Sequence, residues 1–324
     1  MRAFDMKKGR TFQIVVAEPF DDAAVARLQE VGTVEQLGDS SPETLLAAMT
    51  EADALLVRSK THVTARIIDA APSLKVIGRA SPIIDHIDLR AARRRNISVV
   101  YAPHAAVTST AEFALTLILA VQRKITFLNR QVREGQFDAL RKPTGREMGR
   151  QTVGLLGLDP VAERLGRICS AAFASRIIYW SPTGSTPSEF PGEAVGPDEL
   201  LTQSDILSVH LASAPDVKCF LNAERLGRMK NTAVVVNTCR GAVIDTMALA
   251  AALKDHAIAG AALDVFEAEP LPANHPLRRA PNCILTPHIA GMTLDAAAGR
   301  FHVAEDVIRV LNGQAPLYPF AIPE

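Results

Sequence analysis

Short runs of β-branched and leucine-rich residues, each followed by an amphipathic stretch, recur along this chain in two series. The first series is "FQIVVAEPF", "ADALLVRS", "LKVIGRA" and "ISVVYAP"; between these lie helix patterns such as "DDAAVARLQEVG" and "DLRAARRRN". The second series, after residue 150, is "TVGLLGL", "RIIYWSP", "ILSVHLA", "TAVVVNTC", "GAALDVF" and "NCILTPH". Uninterrupted apolar strands alternating with helices require a parallel sheet covered on both faces. The chain is therefore expected to be α/β, with two doubly wound parallel-sheet domains. A chain of 324 residues has room for two cores.

A long helix is expected over roughly residues 109 to 132, between the two series. The final helix, "LDAAAGRFHVAEDVIRVLNG", stops at Gly313. The Pro/Gly/Ser-rich stretch "SPTGSTPSEFPGEAVGPDE" reads as a surface loop. In such folds ligands bind beyond the carboxyl ends of the strands, where strand order reverses, so those ends are where chemistry is sought.

Lys+Arg and Asp+Glu are both 35, which removes any electrostatic case for nucleic acid or an anionic membrane. A local cationic cluster can still hold a small anionic substrate. The apolar run "FALTLILAV" is far shorter than the roughly 20 residues of a bilayer span. The N-terminal "MRAFDMKKGR" has no apolar segment behind its basic residues, so no secretory signal is expected. The four scattered cysteines lack any CxxC pair; they fit reduced thiols in a cytoplasm, and no metal site is expected.

Three strand ends of the second series carry reactive side chains: Arg240 in "NTCRGAVID", Glu269 in "LDVFEAEPLP" and His288 in "LTPHIAG". An arginine clamps a carboxylate through two parallel hydrogen bonds. A histidine exchanges protons near neutral pH, and a glutamate beside it fixes its tautomer. Singly, each has an ordinary structural explanation. Together they suit reduction of a 2-keto acid, with Arg240 on the carboxylate and carbonyl and His288 as proton donor.

From about residue 12 to 313 the chain resembles the D-isomer-specific 2-hydroxyacid dehydrogenases, nearest their phosphoglycerate dehydrogenase branch. "LLVRSKTHVTARIIDAAPSLKVIGRA", "VVVNTCRGAVIDTMALAAAL", "GAALDVFEAEPLP" and "NCILTPHIAGMT" match in order and spacing. The resemblance implies a Rossmann-like nucleotide domain, residues 104–289, inserted into a flavodoxin-like substrate domain, residues 1–103 and 290–324. It implies that Arg240, Glu269 and His288 are catalytic and that NAD is the cofactor, with NADP as the alternative. Gly157, Asp159, Pro160, Val161, Ser181, His210, Thr238, Cys239 and Asp264 fall on the cofactor positions. Arg58, Ser59, Ser81 and Pro82 fall on the substrate positions, though Arg58 has an equal reading as a strand-end cap. A homodimer built through the nucleotide domain is also implied.

The departures from the family pattern sit on the loops. Its GLGxIG turn reads "GLDPVA" here, so Asp159 replaces the glycine that lets the backbone approach a pyrophosphate, and Ala162 replaces the glycine of helix–strand packing. Asp followed by Pro is also a good helix start, so the carboxylate is expected to cap the N–H groups that otherwise bind an anion. Ser181 stands where an acidic residue usually holds the adenosine ribose. Ser81, Pro82 and Ile83 replace the Gly-Val-Gly of the substrate loop, and Pro82 removes a backbone donor. Two readings follow. One is an NAD(P)-dependent oxidoreductase of a small 2-hydroxy or 2-keto acid with weakened cofactor binding. The other is a homologue that has lost the dinucleotide and serves as a binding or regulatory protein, or performs non-redox acid–base chemistry.

Overall fold

The computed structural model describes residues 11–58, 60–81, 84, 86–182, 184, 187, 189–211 and 217–322. The chain divides into two compact units, Met1–Ala106 with Thr293–Glu324, and Val107–Met292.

The first unit is a five-stranded parallel sheet of β1 (Phe12–Val16), β2 (Gly32–Gln36), β3 (Ala54–Val57), β4 (Val76–Arg79) and β5 (Ser98–Tyr101), in the order β2-β1-β3-β4-β5. Side chains alternate between two layers, as strand geometry requires. Ile14, Val16, Ala54 and Leu56 pack under α1 (Asp22–Gln29) and α11 (Leu294–Leu311), through Ala24, Leu28, Val303 and Val307. Val15, Leu55, Val57 and Ile77 pack under α2 (Pro42–Ala48), α3 (Ala65–Asp69) and α4 (Leu89–Arg94), through Leu45, Ile67, Ile68, Ala91 and Ala92. Helix α11 thus brings the far end of the chain into this core. Strand β2, "GTVEQ", has no counterpart among the runs read from sequence. It is a half-exposed edge strand with one large apolar residue, so no apolar run marks it.

The second unit is a seven-stranded parallel sheet. Its strands are β6 (Thr152–Leu156), β7 (Arg176–Trp180), β8 (Gly192–Ala194), β9 (Ile206–Val209), β10 (Val234–Asn237), β11 (Gly260–Leu263) and β12 (Cys283–Leu285), in the order β12-β11-β10-β9-β6-β7-β8. Helices α5 (Val107–Gln122) and α7 (Pro160–Phe173) cover one face; α8 (Pro197–Gln203), α9 (Ala223–Gly227) and α10 (Thr246–Lys254) cover the other. Both sheets are doubly wound. Strand β6 has β7 on one side and β9 on the other, so the order reverses between β6 and β9.

Two expectations are corrected. The single helix over 109 to 132 is two helices, α5 and α6 (Ile125–Arg133). They are broken at Lys124, whose φ of 51° is left-handed and incompatible with a continuing α-helix. The Pro/Gly/Ser-rich stretch is not wholly loop, because Gly192–Ala194 pairs with β7 as the edge strand β8.

Candidate active site

The turn after β6 begins at Gly157, whose φ is +97°. A Cβ there would lie 2.5 Å from the carbonyl oxygen of His210, so only glycine permits this approach between the β6 and β9 ends. Asp159 then caps α7. Its Oδ1 accepts from the Ala162 N–H at 2.7 Å, its backbone oxygen accepts from the Glu163 N–H, and Pro160 at the first helical position has no N–H to offer. Val161 is half-buried in the first turn. The side chain therefore takes up a donor that would otherwise face an anion.

His210 follows β9 with its side chain 1% exposed. Its Nε2 meets the Ser208 hydroxyl at 2.8 Å, and its Nδ1 lies 3.4 Å from Asp159 Oδ1 without making a hydrogen bond. Beyond β10, the Thr238 hydroxyl is also buried without a hydrogen-bond partner. Cys239 donates to the Leu211 carbonyl oxygen, and Ser181 follows the end of β7. Two buried polar atoms lacking partners at adjoining strand ends, beside a glycine turn and a helix N-terminus, fit a dinucleotide. Asp159 opposes it with a carboxylate at the helix N-terminus, and Ser181 offers no acid to the ribose.

The catalytic candidates sit on the neighbouring loops. Glu269 accepts from the Phe266 N–H through Oε1 at 3.1 Å and engages His288 Nδ1 through Oε2 at 2.8 Å. A carboxylate only accepts, so Nδ1 carries the hydrogen and Nε2 is the ring nitrogen left uncommitted by this bond. His288 has φ +57°, a left-handed conformation uncommon for a side-chain-bearing residue. Asp264, fully buried after β11, holds that conformation: it accepts from the Thr286 hydroxyl at 2.6 Å, the Ile289 N–H at 3.0 Å and the Ala290 N–H at 2.8 Å. Its role as the strut of the His288 loop is visible only in three dimensions.

Arg240 follows β10. Asn237 donates to its carbonyl oxygen, and its Nη1 donates to the Cys239 carbonyl oxygen at 2.8 Å. The next residue, Gly241, lies so close to Phe266 that a Cβ would overlap the Phe266 backbone at 1.9 Å. That contact seats the Arg240 loop directly against the loop bearing Glu269. The three residues read as a trio are thus carried on adjoining loops of one unit.

In the first unit, Glu18 lies just beyond β1 and is 8% exposed. Its carboxylate accepts from the Arg58, Lys60 and Thr61 N–H groups and from the Thr61 hydroxyl at 2.8 Å. Burial pushes its proton affinity up, but these donors outweigh burial and hold the carboxyl below its ordinary value of 4.5. The Arg58 guanidinium donates to the Pro19 carbonyl oxygen at 2.9 Å, beyond the end of β1. Ser81 follows β4. Ser59 and Pro82 lie outside the described residues. Glu18 is absent from the sequence-level candidates because its partners are about 40 residues downstream.

A carboxylate depressed on folding stabilises the fold above its unfolded value, and that contribution disappears as pH falls through the folded value. Glu18→Gln is expected to lower stability at pH 7 by about 1–3 kcal/mol. The deficit should shrink on acidification below about pH 4.5. Chemical denaturation of both proteins across this range checks it, and a pH-independent deficit contradicts it.

A separate depression of about 380 Å³, lined by Lys124, Arg146, Asp205, His256 and Asn282, sits at the opposite, amino ends of the second unit's strands. It contains none of the candidate residues.

Residues 115–290 match the family model described as the NAD binding domain of D-isomer specific 2-hydroxyacid dehydrogenases. The chain belongs to the D-isomer-specific 2-hydroxyacid dehydrogenase family. Dehydrogenases of this family are oxidoreductases of CH–OH donors, and the second unit is their NAD(P)-binding domain. Over 286 residues the chain is 41% identical to a glyoxylate reductase of Thermofilum pendens, covering 85% of this chain and 83% of that one. Over 304 residues it is 36% identical to a D-3-phosphoglycerate dehydrogenase of Archaeoglobus fulgidus, covering 93% of this chain and 58% of that longer one. Among solved structures, an acyclic imino acid reductase in complex with NADPH and D-Arg superposes with a TM-score of 0.87 at 25% identity. That match covers 96% of this chain and 100% of the other.

Proposed function

We propose that this dehydrogenase reduces a small 2-keto acid, in the manner of the phosphoglycerate branch, and holds its dinucleotide weakly. The observation that carries the reading is the 2.8 Å contact of His288 Nδ1 with Glu269, on loops packed against that of Arg240. Arg240 orients the substrate carboxylate and polarises the carbonyl. His288 Nε2 delivers the proton to the carbonyl oxygen. A dinucleotide held beside the substrate would supply the hydride. Gly157, Val161, Ser181, His210, Thr238 and Cys239 are the residues that would line it, and Ser181 in place of an acid leaves NADP open beside NAD.

Asp159 supports the weak grip. A carboxylate about 4 Å from a phosphate charge is repelled by roughly 1 kcal/mol in water and about 4 kcal/mol at an effective dielectric near 20. Asp159→Gly costs the helix cap only about a few tenths of a kcal/mol. It is expected to tighten NADH or NADPH binding by about tenfold or more. Calorimetric titration of both proteins with each dinucleotide is the test. Equal affinities would remove Asp159 as the blocker. No binding of either dinucleotide at millimolar concentration, by both proteins, would favour the reading of a homologue that has lost its cofactor.

We also infer a homodimer through the second unit. Helix α6 buries none of its residues, and Ile125, Phe127, Val132 and Phe137 are 40–62% exposed. Exposed large apolar side chains along this segment support a subunit contact. Sedimentation equilibrium at micromolar protein is expected to give twice the chain mass of 34.8 kDa. A single-chain mass there would contradict the dimer.

We place the protein in the cytoplasm. All four cysteines are free thiols, and burial raises Cys169 and Cys283 to about 12, which keeps them protonated and unreactive. Among the described residues no helix is long and apolar enough to cross a membrane.

A further inference from the structure

We infer that dinucleotide binding is coupled to proton uptake at His210, and that this proton offsets the charge of Asp159. The inference rests on the cofactor reading above and concerns how the chain tolerates an acid in the diphosphate seat.

Asp159 and His210 face each other across the point where strand order reverses. One caps the helix after β6, and the other follows β9. Their side chains approach to 3.4 Å at Oδ1 and Nδ1, while Gly157 brings the two backbones together beneath them. The imidazole is almost wholly buried, and Nδ1 has no hydrogen-bond partner. A buried polar atom aimed at a helix cap without completing a bond is poised to change when the cap's surroundings change.

A diphosphate arriving at the first turn of α7 adds negative charge beside Asp159. Added negative charge favours the charged form of a neighbouring histidine. The proton comes from solvent, and the protonated ring has an oxygen ready on each side, Ser208 Oγ for Nε2 and Asp159 for Nδ1. The flanking strands β6 and β10 carry no titratable side chain. Cys239, beyond β10, donates to the Leu211 carbonyl oxygen, and Glu163, in the first turn of α7, is paired with Arg167. Among the described residues, Asp159 is the charged group that approaches His210, at 3.4 Å.

Calorimetric titration of the full chain with NADH and NADPH, in buffers of differing ionisation enthalpy, tests the coupling. The expected result is net proton uptake of at most one proton per dinucleotide, with affinity rising by up to about tenfold per pH unit lowered where uptake occurs. Asp159→Asn keeps a good helix cap and should bind more tightly with smaller uptake, because Nδ1 loses its anionic partner. His210→Gln should bind without pH dependence; if that variant does not fold, Asp159→Asn carries the comparison. Binding by the wild type with buffer-independent heats and a flat pH profile overturns the inference and leaves the cofactor reading standing. Uptake that persists undiminished in Asp159→Asn and His210→Gln also overturns it. Failure of even Asp159→Gly to bind either dinucleotide overturns the cofactor reading itself.

Discussion

Replacing His288 with glutamine is expected to lower kcat for 2-keto acid reduction by about 10²–10⁴-fold, the usual worth of a positioned general acid. Glutamine cannot protonate a developing alkoxide, and it also breaks the 2.8 Å contact that Glu269 makes with Nδ1. Substrate KM should move far less, because the carboxylate clamp is assigned to Arg240. Glu269→Gln provides the graded comparison. It keeps the side chain's size and its bond from the Phe266 N–H, but no longer holds the imidazole as a charged acceptor. Steady-state kinetics with glyoxylate and hydroxypyruvate as trial substrates would show it. A His288→Gln enzyme with undiminished kcat would remove this residue from the chemistry.

Arg240→Lys is expected to reduce kcat/KM by about 10²-fold or more, because a point charge replaces a planar fork that grips a carboxylate through two bonds. At about 1.36 kcal/mol per tenfold, this is a loss of about 3 kcal/mol in transition-state binding. The β10 loop should survive, since Asn237 engages the backbone oxygen of residue 240 and Gly241 still packs on Phe266. A thermal unfolding midpoint close to wild type would therefore accompany the kinetic loss. An unchanged kcat/KM with 2-keto acids would show that the clamp lies elsewhere.

Much of this architecture was readable without coordinates because parallel strands buried on both faces must be apolar along their whole length. "ALLV" and "VVVN" announce themselves, and they are β3 and β10. Edge strands escape that rule. β2 and β8 are half in water, so their residues carry no pattern that separates them from loop. The break between α5 and α6 was equally hidden, since lysine has good helix propensity and nothing local foretells a left-handed φ at Lys124. Asp159 is the contrary case. Asp-Pro is a local signal, and the cap it forms to Ala162 follows from two adjacent residues.

The candidate site divides along the same line. The identities of Arg240, Glu269 and His288, and their place at strand ends, are contained in the chain order, because apolar periodicity locates each strand's end. Three relations are not contained there: Asp264 bracing the His288 loop, Gly241 against Phe266, and His210 facing Asp159. Each joins loops that follow different strands, and which loops become neighbours depends on the strand order β11-β10-β9-β6. Sequence alone determined which residues are candidates for the chemistry and which strand ends present them, because hydrophobic burial is a local, periodic demand. Tertiary structure alone decided which of those residues meet and at what distance, because contacts between separate crossovers arise only once both faces of the sheet are packed.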